Sequence, residues 1–303
     1  MNADRNNVIT AVIVSYDPDP DRFYALIDSV VPQANQVVVV DNGSSLKILD
    51  FLRDLAQQKG FKLIEFGRNQ GIAVAHNAGI RYALDHGHDY VLLLDHDSLL
   101  MPDCVARLLA AHRSLSNSGI PVAAVGPRYL DETTGKQAPF LRFGRWDFLK
   151  LYCNGDEDVI ESSVLISSGS LISSKALNAI GPMDESLFID GVDWEWCFRA
   201  SAAGYRMFGI AAAVMLHNLG DSGIRVLSWK VPLHSPLRHY YAYRNAVLLC
   251  KRKMVPFSWK FHFSVRLIIR FAIYVVLAPR RVERCRYIFR GVHDGMLNRS
   301  GQI

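Results

Sequence analysis

The sequence predicts an α/β protein whose mostly parallel central sheet is flanked by helices. Through the first two-fifths of the 303-residue chain, short and continuously apolar segments alternate with segments of helical spacing, a pattern typical of a parallel sheet covered on both faces. Polar clusters directly follow three apolar segments, at positions 17, 41–42 and 95–97. Because ligands of such sheets bind beyond the carboxyl ends of the strands, we expect the clusters to share one binding edge.

The elements follow in a regular order up to residue 94. Apolar, β-branched segments predict strands at 8–15, 37–40, 62–66 and 90–94. Apolar residues at helical spacing predict helices at 22–31, 48–59 and 72–86. The second half is less regular, with an irregular excursion or hairpin at 127–161, a strand at 163–172, and helices at 174–180, 193–203 and beyond 239.

Composition narrows the class of protein. Apolar residues make up 50% and charged residues 21%, which is ordinary for a folded globular protein. The five cysteines are scattered, odd in number and without a CxxC pair, which argues against a disulfide framework or a zinc site. Residues 1–7 do not resemble a signal peptide. We therefore expect a protein of the reducing cytoplasm.

Charge is unevenly distributed along the chain. Residues 238–299 hold 14 Lys/Arg and two acids, which leaves 20 Lys/Arg against 27 Asp/Glu in the remainder. An acidic body with a basic tail suggests that one surface faces an anionic partner. Nucleic acid and the cytoplasmic face of a membrane are the two candidates.

A first acidic motif, Asp95-His96-Asp97, follows a predicted buried strand. Two carboxylates separated by one residue on a strand-end turn can converge on a hard divalent cation, which prefers oxygen ligands. A solvated turn is the alternative. His217 ends another strand-like segment and is a candidate third ligand, although a single histidine is more often structural.

A second acidic cluster contains Asp190, Asp193 and Glu195. Trp194 and Trp196 could desolvate Asp193 as a general base requires, but Asp193 could also simply favour the start of a helix. Glu195 could contact a substrate or pair with Arg199 one helical turn later.

The segment from Asn69 to Gly71, with Asn77 in the helix that follows, joins a strand to a helix. Small residues and free amides there could approach an anion closely. The segment is neither GxGxxG nor a P-loop, so neither of those nucleotide motifs is supported.

Taken together, these stretches resemble family 2 glycosyltransferases of the GT-A fold, especially bacterial dTDP-L-rhamnose-dependent rhamnosyltransferases. The matching elements are VIVSYDPD, VVVVDNGSS (37–45), RNQGIAVAHNAGI (68–80), LLLDHDS (92–98), SGSLIS (168–173), LFIDGVDWEWCFRA (187–200) and HYYAYRNAVLL (239–249). They cover roughly residues 8–250 in the family's order.

The resemblance implies a role for each matching position. Asp193 would be the catalytic base, although Val192 stands where a neighbouring acid is often found. Asp95 and Asp97 would bind Mg²⁺ or Mn²⁺, with His217 as a further ligand. Contacts to the nucleotide sugar would come from Ser15, Tyr16, Asp41, Arg68, Asn69, Gly71, Asn77, Asp95 and His96. Acceptor contacts would come from Asp190, Trp194 and Glu195.

The implied reaction is inverting transfer of a sugar, here L-rhamnose from dTDP-β-L-rhamnose, to a glycan or lipid-linked acceptor in cell-surface polysaccharide synthesis of the O-antigen type. A UDP-sugar or another nucleotide sugar is the alternative donor. We expect a catalytic domain at residues 1–236, with a nucleotide half at 1–100 and an acceptor half at 101–236. Residues 237–303 would form a helical extension.

The extension contains an apolar, aromatic segment at 257–278 that Lys260, Arg266 and Arg270 interrupt. Charges near a bilayer centre are costly, so the segment predicts an interfacial helix rather than a span. The chain would then lie peripherally on the cytoplasmic face of the inner membrane. The alternatives are a helical pair packed on the catalytic domain or against a second subunit in a homodimer.

Two other classes fit less well. A sugar nucleotidyltransferase would carry a glycine-rich basic loop near the first strand, whereas residues 16–21 read YDPDPD. A nucleic-acid-binding protein would show a recognition motif beside the basic tail, and none is present in the sequence. We therefore expect no nucleic-acid partner.

Overall fold

The computed structural model describes residues 7–132, 134–217, 223–226 and 229–303. Its strands are β1 Ile9–Ser15, β2 Gln36–Asp41, β3 Lys62–Glu65, β4 Tyr90–Asp95, β5 Ser98–Leu100, β6 Val122–Asp131, β7 Phe140–Phe143, β8 Phe148–Leu151, β9 Val159–Ser162, β10 Leu171–Ser173, β11 Arg206–His217, β12 Gly223–Val226 and β13 Trp229–Pro232. Its α-helices are α1 Pro20–Val30, α2 Leu46–Lys59, α3 Ile72–Asp85, α4 Cys104–Asn117, α5 Ser174–Ile180, α6 Val192–Ala202, α7 Pro236–Lys251, α8 Phe257–Leu277 and α9 Arg281–Met296.

The central sheet has nine strands, with eight in the order β3-β2-β1-β4-β10-β6-β11-β5 and β9 paired to β11. Strands β3, β2, β1 and β4 pair in parallel, and β6 and β11 run in the same direction. Strands β5, β9 and β10 run against their neighbours. The predicted α/β fold with a mostly parallel sheet is confirmed.

The alternation of side chains along the strands divides the core into two layers. Val12 and Val14 of β1 face one layer, which includes residues of α3 and α6. Ile13 faces the other, together with residues of α1, α2 and α4. Because successive side chains of a strand point to opposite faces, a strand buried on both sides must be apolar throughout. This accounts for the continuous apolar segments of the sequence.

The predicted strand at 163–172 is wrong over most of its length, since strand geometry is confined to β10. Ser170 Oγ donates to the carbonyl oxygen of Ile166 at 2.6 Å, and Ser162 Oγ donates to that of Val164 at 2.6 Å. Gly169 adopts a positive φ of 85°. Local serine–backbone hydrogen bonds and this glycine turn replace the strand ladder that the apolar residues suggested. The hairpin expected within 127–161 is present as β7 and β8.

Close packing of α3 on β1 depends on Gly79. A Cβ atom at this position would lie 2.1 Å from Cγ1 of Val12, and Val12 is fully buried in the sheet. We expect Gly79→Ala to lower the free energy of unfolding by about 1–3 kcal/mol in urea denaturation, because overpacking outweighs the gain in helix propensity. The control is the double variant Val12→Ala/Gly79→Ala. It should be more stable than the sum of the single changes, and strict additivity would contradict this explanation.

Helices α7, α8 and α9 follow the sheet domain. Tyr243 Oη of α7 donates to the carbonyl oxygen of Leu267 in α8 at 2.7 Å, and Tyr240 Oη of α7 donates to Asp294 of α9 at 3.0 Å. Within the part of the chain that the structure describes, no helix combines the length and apolar character needed to cross a bilayer.

Candidate active site

Three potential metal ligands meet where β4 and β11 end. One ligand atom from each of Asp95, Asp97 and His217 lies within 4.8 Å of the others. Asp97 Oδ1 is buried and accepts no hydrogen bond from any residue that the structure describes, and His217 Nδ1 lies 3.5 Å from it. A buried carboxylate oxygen without a hydrogen-bond donor fits a cation ligand. The residues present therefore suit Mg²⁺ or Mn²⁺. Asn218–Gly220, which follow His217 in the sequence, lie outside the described residues.

The pKa of Asp95 is raised to about 6. Burial is the main cause, the charges of Asp97 and Asp193 also raise it, and that of His217 lowers it. An unneutralised acidic pair is costly to bury, so a cation would stabilise this cluster. The influence of Asp193 on Asp95 indicates that the two acidic clusters lie near each other.

Asp193 lies in the first turn of α6 and is partly buried. Burial raises the pKa of its carboxyl group to about 6, and the charge of Asp190 adds to the effect. Hydrogen bonds from the backbone N–H groups of Trp194 and Ser167 oppose it. A carboxylate with a pKa near 6 is a stronger base than an exposed one and is still ionised at neutral pH.

Ser167 and Ser168 connect the base to the metal cluster. The backbone N–H of Ser167 faces the Asp193 carboxylate and lowers its pKa, while Ser168 Oγ accepts from the backbone N–H of Asp95 at 3.1 Å. Ser168 Oγ also lies 2.6 Å from Ser98 Oγ, which lies 3.0 Å from His217 Nδ1. The serine turn thus holds both acidic clusters. Sequence reasoning assigned it no role, although serines around a glycine inside an apolar stretch were a signal.

Tyr129 is a further neighbour of both clusters. Its ring meets that of His217 edge to face with centroids 6.3 Å apart. Burial, followed by the negative charge of Asp193, raises the pKa of Tyr129 to about 12. Tyr129 is therefore near both the proposed base and the proposed metal ligand His217.

Asp41 is fully buried at the end of β2. Its carboxylate accepts hydrogen bonds from the backbone N–H groups of Gly43 and Ser44, both at 3.1 Å, and from Ser44 Oγ. Ser15 Oγ is 3.4 Å from the same carboxylate. These contacts give Asp41 a role in shaping the turn after β2, and its contact with a nucleotide stays a prediction.

The segment before α3 lies against this turn. A Cβ on Gly43 would lie 2.4 Å from the carbonyl carbon of Arg68, and Asn42 Nδ2 donates to Asn69 Oδ1 at 3.2 Å. Asn69 Oδ1 also accepts from the backbone N–H of Gly71 at 2.9 Å. The side chain of Arg68 is exposed. The structure thus brings the predicted donor-binding segments together.

Two other residues predicted to contact the nucleotide sugar lie near the end of β1. Tyr16 directly follows β1 and is 48% exposed, so its ring is accessible to a ligand. The ring of His96 hydrogen bonds to the backbone of Val14, and burial is the main cause of its lowered pKa. Both positions are compatible with contact to a nucleotide at this edge.

Asn77 does not reach the surface. It is buried, its Nδ2 donates to the carbonyl oxygen of Met183 at 2.9 Å and to Glu185 at 2.8 Å, and its Oδ1 accepts from the N–H of Met183 at 2.8 Å. These bonds fix the 183–185 segment to α3. They give Asn77 a structural role, and its contact with the nucleotide sugar stays a prediction.

The three predicted acceptor residues have different surroundings. Asp190 pairs with Arg238 of α7 at 3.1 Å. Glu195 is 2% exposed and pairs with Arg199 at 2.9 Å, as the alternative reading of the sequence anticipated. It also pairs with Arg252 at 2.8 Å, which the sequence did not indicate. Trp194 packs against aromatic rings of α8. Neither acid is free to form a second base beside Asp193, and a role for any of the three toward the acceptor stays a prediction.

The loop before Asp193 is held by two buried side chains of α7 that sequence reasoning missed. Phe188 and Asp190 have positive φ angles of 65° and 63°, an unfavourable conformation for residues other than glycine. Arg244 donates to the carbonyl oxygen of Leu187 at 2.9 Å, and Asn245 Nδ2 donates to those of Leu187, Ile189 and Asp190 at 2.6–2.9 Å. These bonds stabilise the strained loop and so position α6.

A mostly parallel sheet with acidic residues at the end of β4 and a partly buried carboxylate nearby is the architecture expected of an α/β enzyme with a GT-A-like fold. The family model for glycosyl transferase family 2 matches residues 10–181. The chain belongs to this family, and it is therefore a glycosyltransferase.

Full-length similarity supports the same assignment. The chain is 32% identical over 297 residues to the dTDP-rhamnosyl transferase RfbF of Shigella flexneri, and the match covers 98% of each chain. It is similar in fold to GalNAc-T7, solved with UDP, GalNAc and Mn²⁺ (TM-score 0.62, 15% identity, 97% of this chain and 57% of that chain). It is also similar to S. aureus TarS 1-349 in complex with UDP-GlcNAc (TM-score 0.61, 16% identity, 96% and 81%). At these identities, the two structural likenesses concern the fold alone.

Proposed function

We propose that this protein transfers L-rhamnose from dTDP-β-L-rhamnose to a hydroxyl group of a glycan or lipid-linked acceptor, with inversion at the anomeric carbon. The reaction would serve bacterial cell-surface polysaccharide synthesis of the O-antigen type. The observation that carries the proposal is the similarity to the dTDP-rhamnosyl transferase RfbF along nearly the whole of both chains. The neighbouring acidic clusters supply the chemistry that such a transfer needs.

The proposed reaction is a single displacement. Asp193 accepts the proton of the acceptor hydroxyl while that oxygen attacks the anomeric carbon and the bond from this carbon to the diphosphate oxygen breaks. Products are an α-L-rhamnoside and dTDP. Asp95, Asp97 and His217 would hold Mg²⁺ or Mn²⁺, which supplies positive charge to the departing diphosphate. The raised pKa of Asp193 supports its assignment as the base.

The donor would lie over the carboxyl edge of β1, β2 and β4. Ser15, Tyr16 and His96 would line one side of the nucleotide pocket, and Arg68, Asn69 and Gly71 the other. The contact between the turn after β2 and the segment before α3 supports this arrangement. The acceptor would approach past Trp194, with residues 101–236 forming its half of the catalytic domain and residues 237–303 forming the extension.

The basic helical extension is the basis for the proposed cellular location. We place the protein in the cytoplasm, peripherally on the inner face of the inner membrane, where a lipid-linked acceptor would be found. Residues 257–290 contain eight Lys/Arg and a single acid, and this excess of positive charge supports attraction to anionic lipid. Nucleic acid is not a proposed partner, and a homodimer remains an alternative use of the same surface.

A donor screen tests the proposed function. The protein is incubated with Mn²⁺ and dTDP-β-L-rhamnose, UDP-GlcNAc or GDP-mannose, and hydrolysis or transfer is followed by mass spectrometry. We expect turnover of dTDP-rhamnose to exceed that of the other donors by about 10²-fold or more, because a site built to bind particular polar groups strongly rejects donors that leave them unpaired. Preference for a UDP-sugar would overturn the rhamnosyl assignment while leaving the family unchanged.

A further inference from the structure

Helix α8 presents a stripe of exposed apolar side chains to the surroundings. Phe257, Phe261, Val265, Ile268 and Val276 are 57%, 56%, 40%, 68% and 68% exposed. With exposed Ala272, their spacing of three or four residues places them on one face of the helix. We call these six residues the α8 stripe. A continuous apolar face of this length is unusual on a protein surface that meets only water.

The opposite face of α8 is firmly anchored. Trp259, Leu267 and Tyr274 are buried, and Tyr274 Oη donates to the carbonyl oxygen of Pro232 at 2.7 Å. Trp259 stacks on Phe263 with ring centroids 4.5 Å apart. The exposed stripe is therefore the outer face of a packed helix.

The hairpin of β7 and β8 extends the apolar surface. Trp146, at the tip of the hairpin, is 67% exposed and meets Phe257 edge to face with centroids 5.2 Å apart. Ser258 Oγ donates to the carbonyl oxygen of Gly144 at 2.7 Å, which ties the tip to the start of α8. Arg145 lies over the indole, 5.7 Å from its centroid. A tryptophan beside a basic residue is typical of the interface between lipid and water.

The charge around the α8 stripe distinguishes between the possible partners of this surface. Residues 257–290 contain eight Lys/Arg and a single acid, Glu283. Arg266 is exposed directly after Val265 of the stripe, and Arg281 and Arg286 are exposed on α9. A second copy of the chain would bring the same positive charge to a symmetric interface, where the two would repel. An anionic lipid surface supplies both apolar depth and complementary charge.

We propose that the α8 stripe and Trp146 together form a membrane-docking face that inserts into the headgroup region of an anionic bilayer. The proposal deepens the peripheral location given under the proposed function. It also gives that location a consequence for the active site. Trp194, the neighbour of Asp193, contacts Trp259 and Phe263 on the inner face of α8, with centroids 5.7 and 5.6 Å apart. Docking would therefore place one helix between the base-bearing α6 and the lipid, so that the acceptor cleft lies close to the membrane.

Co-sedimentation with vesicles tests the proposal without substrate. We expect the full-length protein to bind vesicles of phosphatidylcholine and phosphatidylglycerol and to bind phosphatidylcholine alone weakly. Phe261→Glu/Ile268→Glu should weaken binding about tenfold or more, because two apolar side chains lose their burial in lipid. Leu46→Glu on α2, where Leu46 is 79% exposed, is the matched control and should bind like the unchanged protein.

Trp146 gives a direct readout of insertion. Brominated lipid should quench the part of the emission that disappears in Trp146→Phe. Equal vesicle binding by the double variant, or absence of quenching at Trp146, would overturn the proposal. So would conversion of a dimer to a monomer by the double variant without any loss of lipid binding, because a second copy would then cover the face. Rhamnosyl transfer to a water-soluble acceptor should survive the double change, which separates this test from that of the proposed function.

Discussion

Replacing Asp193 by asparagine is expected to lower the rate of sugar transfer about 10²–10⁴-fold while leaving donor binding intact. Asparagine keeps the size of the side chain but cannot accept the proton of the acceptor hydroxyl. The rate is measured as kcat with saturating dTDP-rhamnose, and binding of dTDP with Mn²⁺ is measured by calorimetry. The control, Asp21→Asn, changes an acid in the first turn of α1 and should leave both quantities unchanged.

The pH profile provides a second readout of the same group. Burial raises the pKa of Asp193 to about 6, so its carboxyl group becomes protonated as the pH falls below that value. A protonated carboxyl cannot act as a base, and kcat should therefore decline about tenfold per pH unit on the acid side. The measurement is made at saturating Mn²⁺ so that loss of the cation from Asp95, Asp97 and His217 does not itself limit the rate at low pH. Near-normal turnover of Asp193→Asn, or the same acid limb in that variant, would show that another group is the base.

The second large effect is expected at Asp97. Asp97→Asn should lower kcat about 10²–10³-fold and raise the Mn²⁺ concentration needed for half activity, because charge on the departing diphosphate is then poorly compensated. The buried oxygen Oδ1, which accepts no hydrogen bond from any described residue, is the atom we expect to bind the cation. Activity is measured across an Mn²⁺ titration, and cation binding by the rise in Tm.

Chelation of the unchanged enzyme is the control for this variant. EDTA should abolish transfer, and added Mn²⁺ should restore it. Asp97→Asn should show little rise in Tm with Mn²⁺ at concentrations that stabilise the unchanged protein. If the chelated enzyme kept full activity, the cluster of Asp95, Asp97 and His217 would not be a metal site.

Much of the fold could be predicted because its signals are local. The segments of β1, β2 and β4 are continuously apolar because both faces of the sheet are buried. Polar residues follow them where each strand ends and the chain leaves the core. The first three helices were likewise visible from the spacing of their apolar residues. The strand predicted at 163–172 was wrong for the converse reason. Apolar residues there satisfied the strand pattern, but serine hydroxyls bonded to the backbone and interrupted it.

The candidate site was predicted less completely, and the reason is distance along the chain. The two acids of the motif at 95–97 are separated by one residue, so the pair was identifiable from the sequence alone. For Glu195, the pairing with Arg199 four residues later was visible in the sequence, but the pairing with Arg252, 57 residues away, was not. The role of Asn77 was hidden as well, because its partner Met183 lies 106 residues away. A charged or amide side chain looks the same in the sequence whether it binds a ligand or another buried group.

The sequence by itself determined the alternation of strands and helices and the acidic motif at the end of a parallel strand, since periodicity and short motifs are properties of neighbouring residues. Its similarity to family 2 glycosyltransferases then gave the class of enzyme. Only the tertiary structure decided how the serine turn joins Asp193 to Asp95, and how Arg244 and Asn245 hold the strained loop before α6. It also decided which side of α8 is exposed. These features depend on contacts between residues remote in the chain, which burial and hydrogen bonding establish only when the sheet and helices pack.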